Sequence, residues 1–210
     1  MADRHSGVPD CGCNACSSAL RGHLARRGFM RVLSANVAGL ALAPLLPEGA
    51  RAAAKPTYQA MLLSCVDPRV QVPVAAWMEA PQPESHTTSL AGLYSQVTLA
   101  GASAAVVAPV FEAWRPAFWD NLGATIKLHG IRTLIVVDHG NCGAFGIAYG
   151  QALLGSPADE LAKHVETTAA LGKEVAARHP DLNYQAHYLH RDTAGGFTQW
   201  KTLVAGRAIG

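Results

Sequence analysis

Two short motifs contain the residues of this chain whose types and spacing could do chemistry. The first is Cys65-Val66-Asp67-Pro68-Arg69 and the second, about seventy residues later, is His139-Gly140-Asn141-Cys142-Gly143. Cys65, His139 and Cys142 offer two sulfur ligands and one nitrogen ligand, a soft donor set that favours zinc over magnesium or calcium. Three protein ligands leave a fourth tetrahedral position open for water or substrate, as in catalytic zinc sites. The pattern therefore predicts one catalytic zinc ion per chain.

Asp67 and Arg69 follow the first cysteine closely enough to lie near the same ion. Zinc lowers the pKa of a bound water from about 16 towards 7, but two thiolates weaken this effect, so the polar surroundings matter. The Asp67 carboxylate could accept a hydrogen bond from the resulting hydroxide, while Arg69 holds Asp67 by a two-point salt bridge. We therefore predict that Asp67 and Arg69 are catalytic. The alternative is that this Asp-Pro-Arg segment is a solvated surface turn.

Two other chemistries are open to the same cysteines. Cys65 and Cys142 could form a disulfide in an oxidising compartment. That bond would give no role to Asp67, Arg69 or His139. Cys142 could instead be the nucleophile of a thiol enzyme at a helix N-terminus, which predicts alkylation of Cys142 and no bound metal.

The remaining polar and aromatic residues suggest less specific roles. Asp138, directly before His139, is predicted either to support the metal site or to cap the following turn. One of the other histidines could shuttle protons. The tryptophans are expected in the core or at a subunit contact. The histidines expected at the surface are His164, His179, His187 and His190, and the tryptophans are Trp77, Trp114, Trp119 and Trp200.

Predicted strands place both motifs at strand ends. The apolar run 58–64 predicts a buried strand that ends at Cys65, and the run 131–137 predicts a strand that leads into His139. A helix is expected over 143–154. Further elements are expected as a helix over 70–79, a strand over 94–99, a helix over 116–129 that stops at Gly130, a helix from a Ser156–Asp159 capping box to about Arg178, a strand over 184–190, and a hairpin return or short helix over 197–203.

Alternation of strands and helices indicates an α/β fold with a mainly parallel central β-sheet flanked by helices. Ligands of such sheets bind beyond the carboxyl ends of the strands, where neighbouring connections diverge. If the strands before Cys65 and His139 are neighbours, the three ligands can converge on one ion.

The first fifty or so residues have the features of an export signal. Arg26-Arg27 precedes an apolar run over 32–46 and a small-x-small cleavage pattern, Ala50-Arg51-Ala52. This is the layout of a twin-arginine (Tat) signal, so we expect residues 1–52 to be a signal peptide, residues 53–210 to be the zinc domain, and the twin-arginine translocase to be a partner. The location would be periplasmic or secreted. The apolar run is shorter than the roughly twenty residues that span a bilayer, so no stable membrane span is expected.

Charge argues against a nucleic-acid partner. The chain has 17 Lys and Arg against 15 Asp and Glu, and removing residues 1–52, with six arginines and three acids, leaves 11 basic and 12 acidic side chains. The positive charge thus belongs to the signal, and no nucleic acid or anionic membrane is expected to bind the domain. Cys11, Cys13 and Cys16 would be lost with the signal. They either bind a metal in the precursor or are simply part of its polar N-terminal region.

The order and spacing of Cys-x-Asp-x-Arg and His-x-x-Cys-Gly resemble the signature of the β-class carbonic anhydrases. That resemblance extends over about 58–203 and implies a β-carbonic-anhydrase-like fold, one Zn²⁺ on Cys65, His139 and Cys142, and a catalytic dyad of Asp67 and Arg69. It implies a lyase, carbonate dehydratase, that reversibly hydrates carbon dioxide to bicarbonate and a proton. It also implies a homodimer or tetramer. In some members the dyad aspartate closes the site by taking the fourth zinc position.

Two other functions fit the same signature. The fold and metal could serve a hydrolase of carbonyl sulfide or carbon disulfide, which are also linear triatomic molecules. The chain could also be a catalytically inactive zinc-binding oligomer, although such a site would have little use for Asp67 and Arg69.

Overall fold

The computed structural model of the chain describes residues 58–210. The expectations for residues 1–52, including the twin-arginine signal and the Cys11, Cys13 and Cys16 cluster, lie outside the described residues. Within the described part, no helix is both long enough and apolar enough to cross a membrane.

A single mixed sheet organises the described residues. Its strands are β1 (Ala60–Ser64), β2 (Tyr94–Thr98), β3 (Thr133–His139), β4 (Asn183–Arg191) and β5 (Phe197–Val204), in the spatial order β2-β1-β3-β4-β5. β1 pairs in parallel with β2 and β3, and β3 pairs in parallel with β4. β5 returns antiparallel to β4. The predicted mainly parallel α/β fold, with a hairpin return at its end, is confirmed.

Helices connect the parallel strands, because neighbouring parallel strands need a crossover connection. The α-helices are α1 (Pro68–Glu79), α2 (Ser103–Val107), α3 (Arg115–His129), α4 (Gly143–Tyr149) and α5 (Pro157–Arg178), and 3₁₀ turns cover Pro109–Trp114 and Gln151–Gly155.

The core has two layers because alternate residues of the strands point to opposite faces of the sheet. Leu62 and Ile135 lie in one buried cluster with Trp77 of α1 and Phe145 of α4. Met61 and Leu63 lie in the other cluster, with Leu134 of β3, Phe118 and Leu122 of α3, and Leu171 and Val175 of α5. Helices cover both faces, so β1 and β3 are buried along their whole length.

Several local predictions differ from the structure. The strand expected over 131–137 begins and ends two residues later, so His139 is its last residue. The helix expected over 143–154 ends at Tyr149, where Gly150 takes a φ of 104°. The long helix from Pro157 to Arg178 is confirmed, but the capping box is wrong because the Ser156 side chain makes no cap hydrogen bond.

Chain order creates a switch point between β1 and β3. The connection after β1 leads to β2 on one side, and the connection after β2 crosses over β1 to β3 on the other side. Crevices of this kind open beyond the carboxyl ends of the two strands. Cys65 follows β1 and His139 ends β3, so the two motifs meet at this crevice.

Candidate metal centre

The three predicted ligands come from three adjoining pieces of backbone. Cys65 directly follows β1, His139 closes β3, and Cys142 is the N-cap residue of α4. Because β1 and β3 are neighbours in register, their ends bring residues that are far apart in sequence into contact. The structure therefore brings all three predicted ligands together.

Distances among the donor atoms fit one zinc ion. One donor atom from each of Cys65, His139 and Cys142 lies within 4.8 Å of the others, and the two Sγ atoms are 3.9 Å apart. Two thiolates at about 2.3 Å from one tetrahedral zinc would be about 3.8 Å apart. A disulfide would instead need about 2.05 Å. Among the described residues both cysteines are free thiols, buried to 4% and 2% exposure.

The His139 ring is oriented as a metal ligand. Its Nδ1 lies 3.0 Å from the Gly140 carbonyl oxygen, to which an Nδ1–H donates. Its Nε2 then carries the free lone pair, and this atom is buried with no hydrogen-bond partner. A buried nitrogen without a partner is costly unless a ligand occupies the position it faces. The residues present therefore fit a soft divalent metal.

The thiols of Cys65 and Cys142 shift each other's pKa. Hydrogen bonding from Cys142 lowers the pKa of Cys65, with His139 and the Gly101 N–H as further causes. The Gly101 N–H donates to Cys65 Sγ over 3.3 Å. The Cys65 sulfur in turn raises the pKa of Cys142. A buried pair of this kind readily holds one thiolate, and a bound cation would favour the second.

Asp67 and Arg69 form a tight pair at the rim of the site. Arg69 donates from Nε to both Asp67 oxygens, at 3.0 and 3.1 Å, and from Nη2 to Oδ2 at 2.5 Å. Asp67 Oδ1 also accepts from the Arg69 backbone N–H, which caps α1. These hydrogen bonds lower the pKa of Asp67 to about 2. The carboxylate is therefore ionised near neutral pH.

The pair is close enough to the ligands to act on what they bind. Asp67 Oδ2 lies 3.9 Å from His139 Nε2, the atom that would face the metal. A cleft of about 390 Å³ opens here, and its lining includes the small apolar residues Ala100, Gly143 and Ala144. Both Asp67 oxygens are paired with Arg69 in this arrangement, and the closed state with Asp67 as a fourth ligand stays a prediction.

Arg69 also connects the first motif to the second. Its Nη1 donates to Asn141 Oδ1 over 3.2 Å, and its Nη2 donates to the Asn141 carbonyl over 3.0 Å. Its guanidinium lies 5.5 Å from the centre of the Phe197 ring. Because five donors in a fixed plane can bind several acceptors at once, one arginine fixes Asp67 and the ligand turn relative to each other.

Sequence reasoning missed a buried polar network behind the ligands. Asp138 accepts from the Ser103 N–H and hydroxyl and faces His164 Nδ1 at 2.9 Å. Glu160 accepts from the N–H groups of Asn141 and Cys142. Asp138 thus does not cap the turn after it, and its support of the metal site stays a prediction. The available signal was a Glu and a His four residues apart on one face of the predicted helix.

The surface prediction is wrong for two histidines. His164 is 0% exposed and His187 is 2% exposed. His164 lies among Asp138, Glu160 and the Phe145 ring, whose centre is 3.6 Å from its own. His179 and His190 are half-buried. The burial of His164 and His187 was not predicted because a single sequence does not reveal which carboxylates and rings will surround an imidazole.

Comparisons with known proteins show only weak similarity. No protein-family model matches the chain. The chain is 29% identical over 122 residues to an uncharacterized protein of Rickettsia conorii, a match that covers 58% of this chain and 62% of that protein. It is 27% identical over 122 residues to an uncharacterized protein of Rickettsia bellii, covering 58% and 70%. The chain thus spans less than two thirds of the length of the first relative.

Two solved structures are similar in outline. One is a tetrameric β-carbonic anhydrase of the ascomycete Sordaria macrospora, with a TM-score of 0.46, 13% identity and coverage of 87% of this chain and 100% of that one. The other is the Coccomyxa β-carbonic anhydrase in complex with acetazolamide, with a TM-score of 0.43, 17% identity and coverage of 84% and 86%. At this level of similarity, the case for function has to come from the geometry of the site.

Proposed function

We propose that this chain is a zinc-dependent carbonic anhydrase that reversibly hydrates carbon dioxide to bicarbonate and a proton. One observation carries the proposal: the buried donors of Cys65, His139 and Cys142 converge beside a carboxylate that a paired arginine holds in place. A purely structural zinc site has four protein ligands and no need of an adjacent acid-arginine pair. Here three donors and one such pair occupy the same crevice.

The residues present would hold the metal through two thiolates and one imidazole. When bound, zinc would lower the pKa of a water molecule so that it attacks carbon near neutral pH. The burial of the three donors and the Nδ1 hydrogen bond that orients the His139 lone pair support this binding of zinc. The Cys65 thiolate is further supported by the Gly101 N–H.

Asp67 would orient the attacking water and Arg69 would orient Asp67. A carboxylate with a pKa of about 2 stays ionised, so it accepts a hydrogen bond but does not store a proton near neutral pH. Its place beside the predicted ligands and its pairing with Arg69 suit it to positioning of the nucleophile, while other groups accept the proton. The small apolar residues of the cleft suit an uncharged linear molecule such as carbon dioxide.

Stopped-flow hydration of carbon dioxide by the zinc-loaded full chain tests the proposal. Wild type should hydrate carbon dioxide rapidly, and Asp67→Asn should lower kcat/KM by about 10- to 100-fold while keeping its zinc. Asp120→Asn removes an exposed carboxylate on α3 and should have no effect. A zinc-loaded wild type that does not hydrate carbon dioxide would overturn the proposal. Carbonyl sulfide and carbon disulfide would then be assayed, with an inactive zinc-binding oligomer as the remaining alternative.

The cellular context is a separate proposal. We propose that residues 1–52 are a twin-arginine signal that directs residues 53–210 to the periplasm, where the domain acts as a homodimer or tetramer. Support comes from the paired arginines, the apolar run and the small-x-small pattern in the sequence. Sequencing the N-terminus of the exported protein should give Ala53. A mature protein that still begins at Met1 would contradict this.

A further inference from the structure

Glu160 occupies an unusual place for a carboxylate. It lies in the first turn of α5, eighteen residues after Cys142, and is only 3% exposed. A buried carboxylate is costly unless its oxygens accept hydrogen bonds. Glu160 is neither a predicted metal ligand nor a member of the Asp67–Arg69 pair, so its burial needs a separate explanation.

Both oxygens of Glu160 accept hydrogen bonds from the turn that carries the third ligand. Oε2 accepts from the Asn141 N–H over 2.9 Å, and Oε1 accepts from the Cys142 N–H over 3.0 Å. Two consecutive backbone N–H groups therefore point at one carboxylate. Hydrogen bonds to a charged acceptor are roughly twice as strong as those between neutral groups.

The turn also contains a residue in an uncommon backbone conformation. Asn141 has a φ of 54°, in the left-handed region that residues other than glycine seldom adopt. Glu160 accepts a hydrogen bond from the Asn141 N–H, and Arg69 donates hydrogen bonds to the Asn141 carbonyl and side-chain oxygens. Asn141 thus links the position of Cys142 to the position of Arg69.

Glu160 also lies close to a second buried polar group. His164, one turn further along α5, places Nε2 at 3.8 Å from Glu160 Oε1 and Nδ1 at 2.9 Å from Asp138 Oδ2. Asp138 in turn accepts two hydrogen bonds from Ser103, the first residue of α2. Every member of this network is buried, so solvent does not compete for its hydrogen bonds.

We propose that Glu160 is a positioning residue of the metal centre: its carboxylate sets the turn that presents Cys142 to the metal and Asn141 to Arg69. This inference rests on the proposed function in that Cys142 is taken as a ligand. Glu160 touches neither the metal position nor substrate, and it acts through the backbone of the turn. A glutamine at 160 could accept one of the two N–H groups but would turn its own NH₂ towards the other.

Amide hydrogen exchange in the metal-free full chain tests the positioning role directly. In wild type the Asn141 and Cys142 amides should be protected, and Glu160→Gln should increase their exchange by at least about tenfold while distant strand amides keep their protection. Glu166→Gln is the matched control, because Glu166 is an exposed carboxylate on the same helix. Unchanged protection in Glu160→Gln would overturn the proposal. If that variant does not fold, Glu160→Asp, which is shorter by one methylene, is judged by the same criterion.

Metal affinity gives a second readout. The measurement concerns only the metal ion that wild type binds and Cys142→Ser does not. The affinity of each variant for this ion is measured by titration with a competing chelator. Glu160→Gln should weaken its binding by about 10- to 100-fold, and Glu166→Gln should not. Equal affinities in these two variants would overturn the proposal. A wild type that binds no metal would instead overturn the proposed function, and the exchange experiment would still decide the role of Glu160.

Discussion

At the scale of residues, the centre depends on side chains whose orientation is set by specific hydrogen bonds. Arg69 binds Asp67, the Asn141 side chain and the Asn141 carbonyl at once. His139 has one ring nitrogen committed to a carbonyl and the other free. Preorganisation of this kind means that small changes of geometry, without any change of charge, should reduce activity.

Arg69→Lys tests whether geometry matters apart from charge. Lysine keeps the positive charge but cannot bind Asp67 and Asn141 in one plane. We expect kcat/KM for carbon dioxide hydration to fall by about tenfold. The Asp67 pKa would rise from about 2 towards its ordinary value, which is still far below neutral pH. The loss should therefore be the same from about pH 6 to pH 9.

The control for this variant is Arg178→Lys, which changes an exposed arginine paired with Glu174 at the end of α5. It should keep the wild-type rate. A loss in Arg69→Lys that disappears at high pH would contradict the account, because it would mean that the ionisation of Asp67, and not its placement, limits the rate.

Residue types and spacing were sufficient to predict which side chains meet at the crevice: Cys65, His139 and Cys142, with Asp67 and Arg69 beside them. They were insufficient for Gly101, Glu160 and His164, whose contacts depend on the packing of α2, α4 and α5, and they left two alternatives open for Asp138. Gly101 donates a backbone N–H that no side-chain pattern reveals. Glu160 reaches the ligand turn only because α5 passes behind it.

At the scale of elements, the site is made by strand ends and the turns that follow them. The strands before both motifs and the helix that stops at Gly130 were predictable, because buried runs and left-handed stops have clear sequence signals. The short helix Ser103–Val107 was not predicted. Its five residues are too few to form a helix alone, and the burial of Ala104, Ala105 and Val106 stabilises it.

Gly101, just before α2, should tolerate no side chain. Its φ is 84°, and a Cβ there would lie 2.9 Å from the Ala144 Cβ. Gly101→Ala should destabilise the metal-free protein by about 1–3 kcal/mol and weaken zinc binding, because the N–H that supports Cys65 would move. Urea unfolding and zinc titration measure the two effects.

The matched control is Gly123→Ala in the interior of α3, where a Cβ would meet nothing within 4 Å. Alanine has the higher helix propensity, so this variant should be up to about 1 kcal/mol more stable than wild type. Equal stabilities of the two alanine variants would contradict the structural account of Gly101.

At the scale of the whole molecule, a buried histidine outside the metal centre should make stability depend on pH. Burial, with a contribution from His86, lowers the pKa of His187 to about 4. Its Nδ1 lies 3.3 Å from the Thr202 hydroxyl, and its ring packs 4.7 Å from the Trp77 ring. The unfolded chain binds this proton at about pH 6.5 and the folded chain binds it only near pH 4.

Between these two values the unfolded state holds more protons than the folded state, so stability rises with pH. His187 should contribute at most about 1.4 kcal/mol per pH unit to that rise. We expect His187→Gln to show a shallower fall in the free energy of unfolding than wild type from about pH 6.5 to pH 4. Urea unfolding across this range measures it, and identical slopes would show that His187 is not buried as a neutral group.

Native mass spectrometry of the full chain, purified with zinc and without oxidation, tests the central claim most directly. The account predicts one zinc ion in place of two thiol protons. This ion should be lost in Cys142→Ser but kept in Cys13→Ser, which leaves the described site intact. Zinc that persists in Cys142→Ser, or a wild type that lacks zinc and is lighter by the two hydrogens of a Cys65–Cys142 bond, would contradict it.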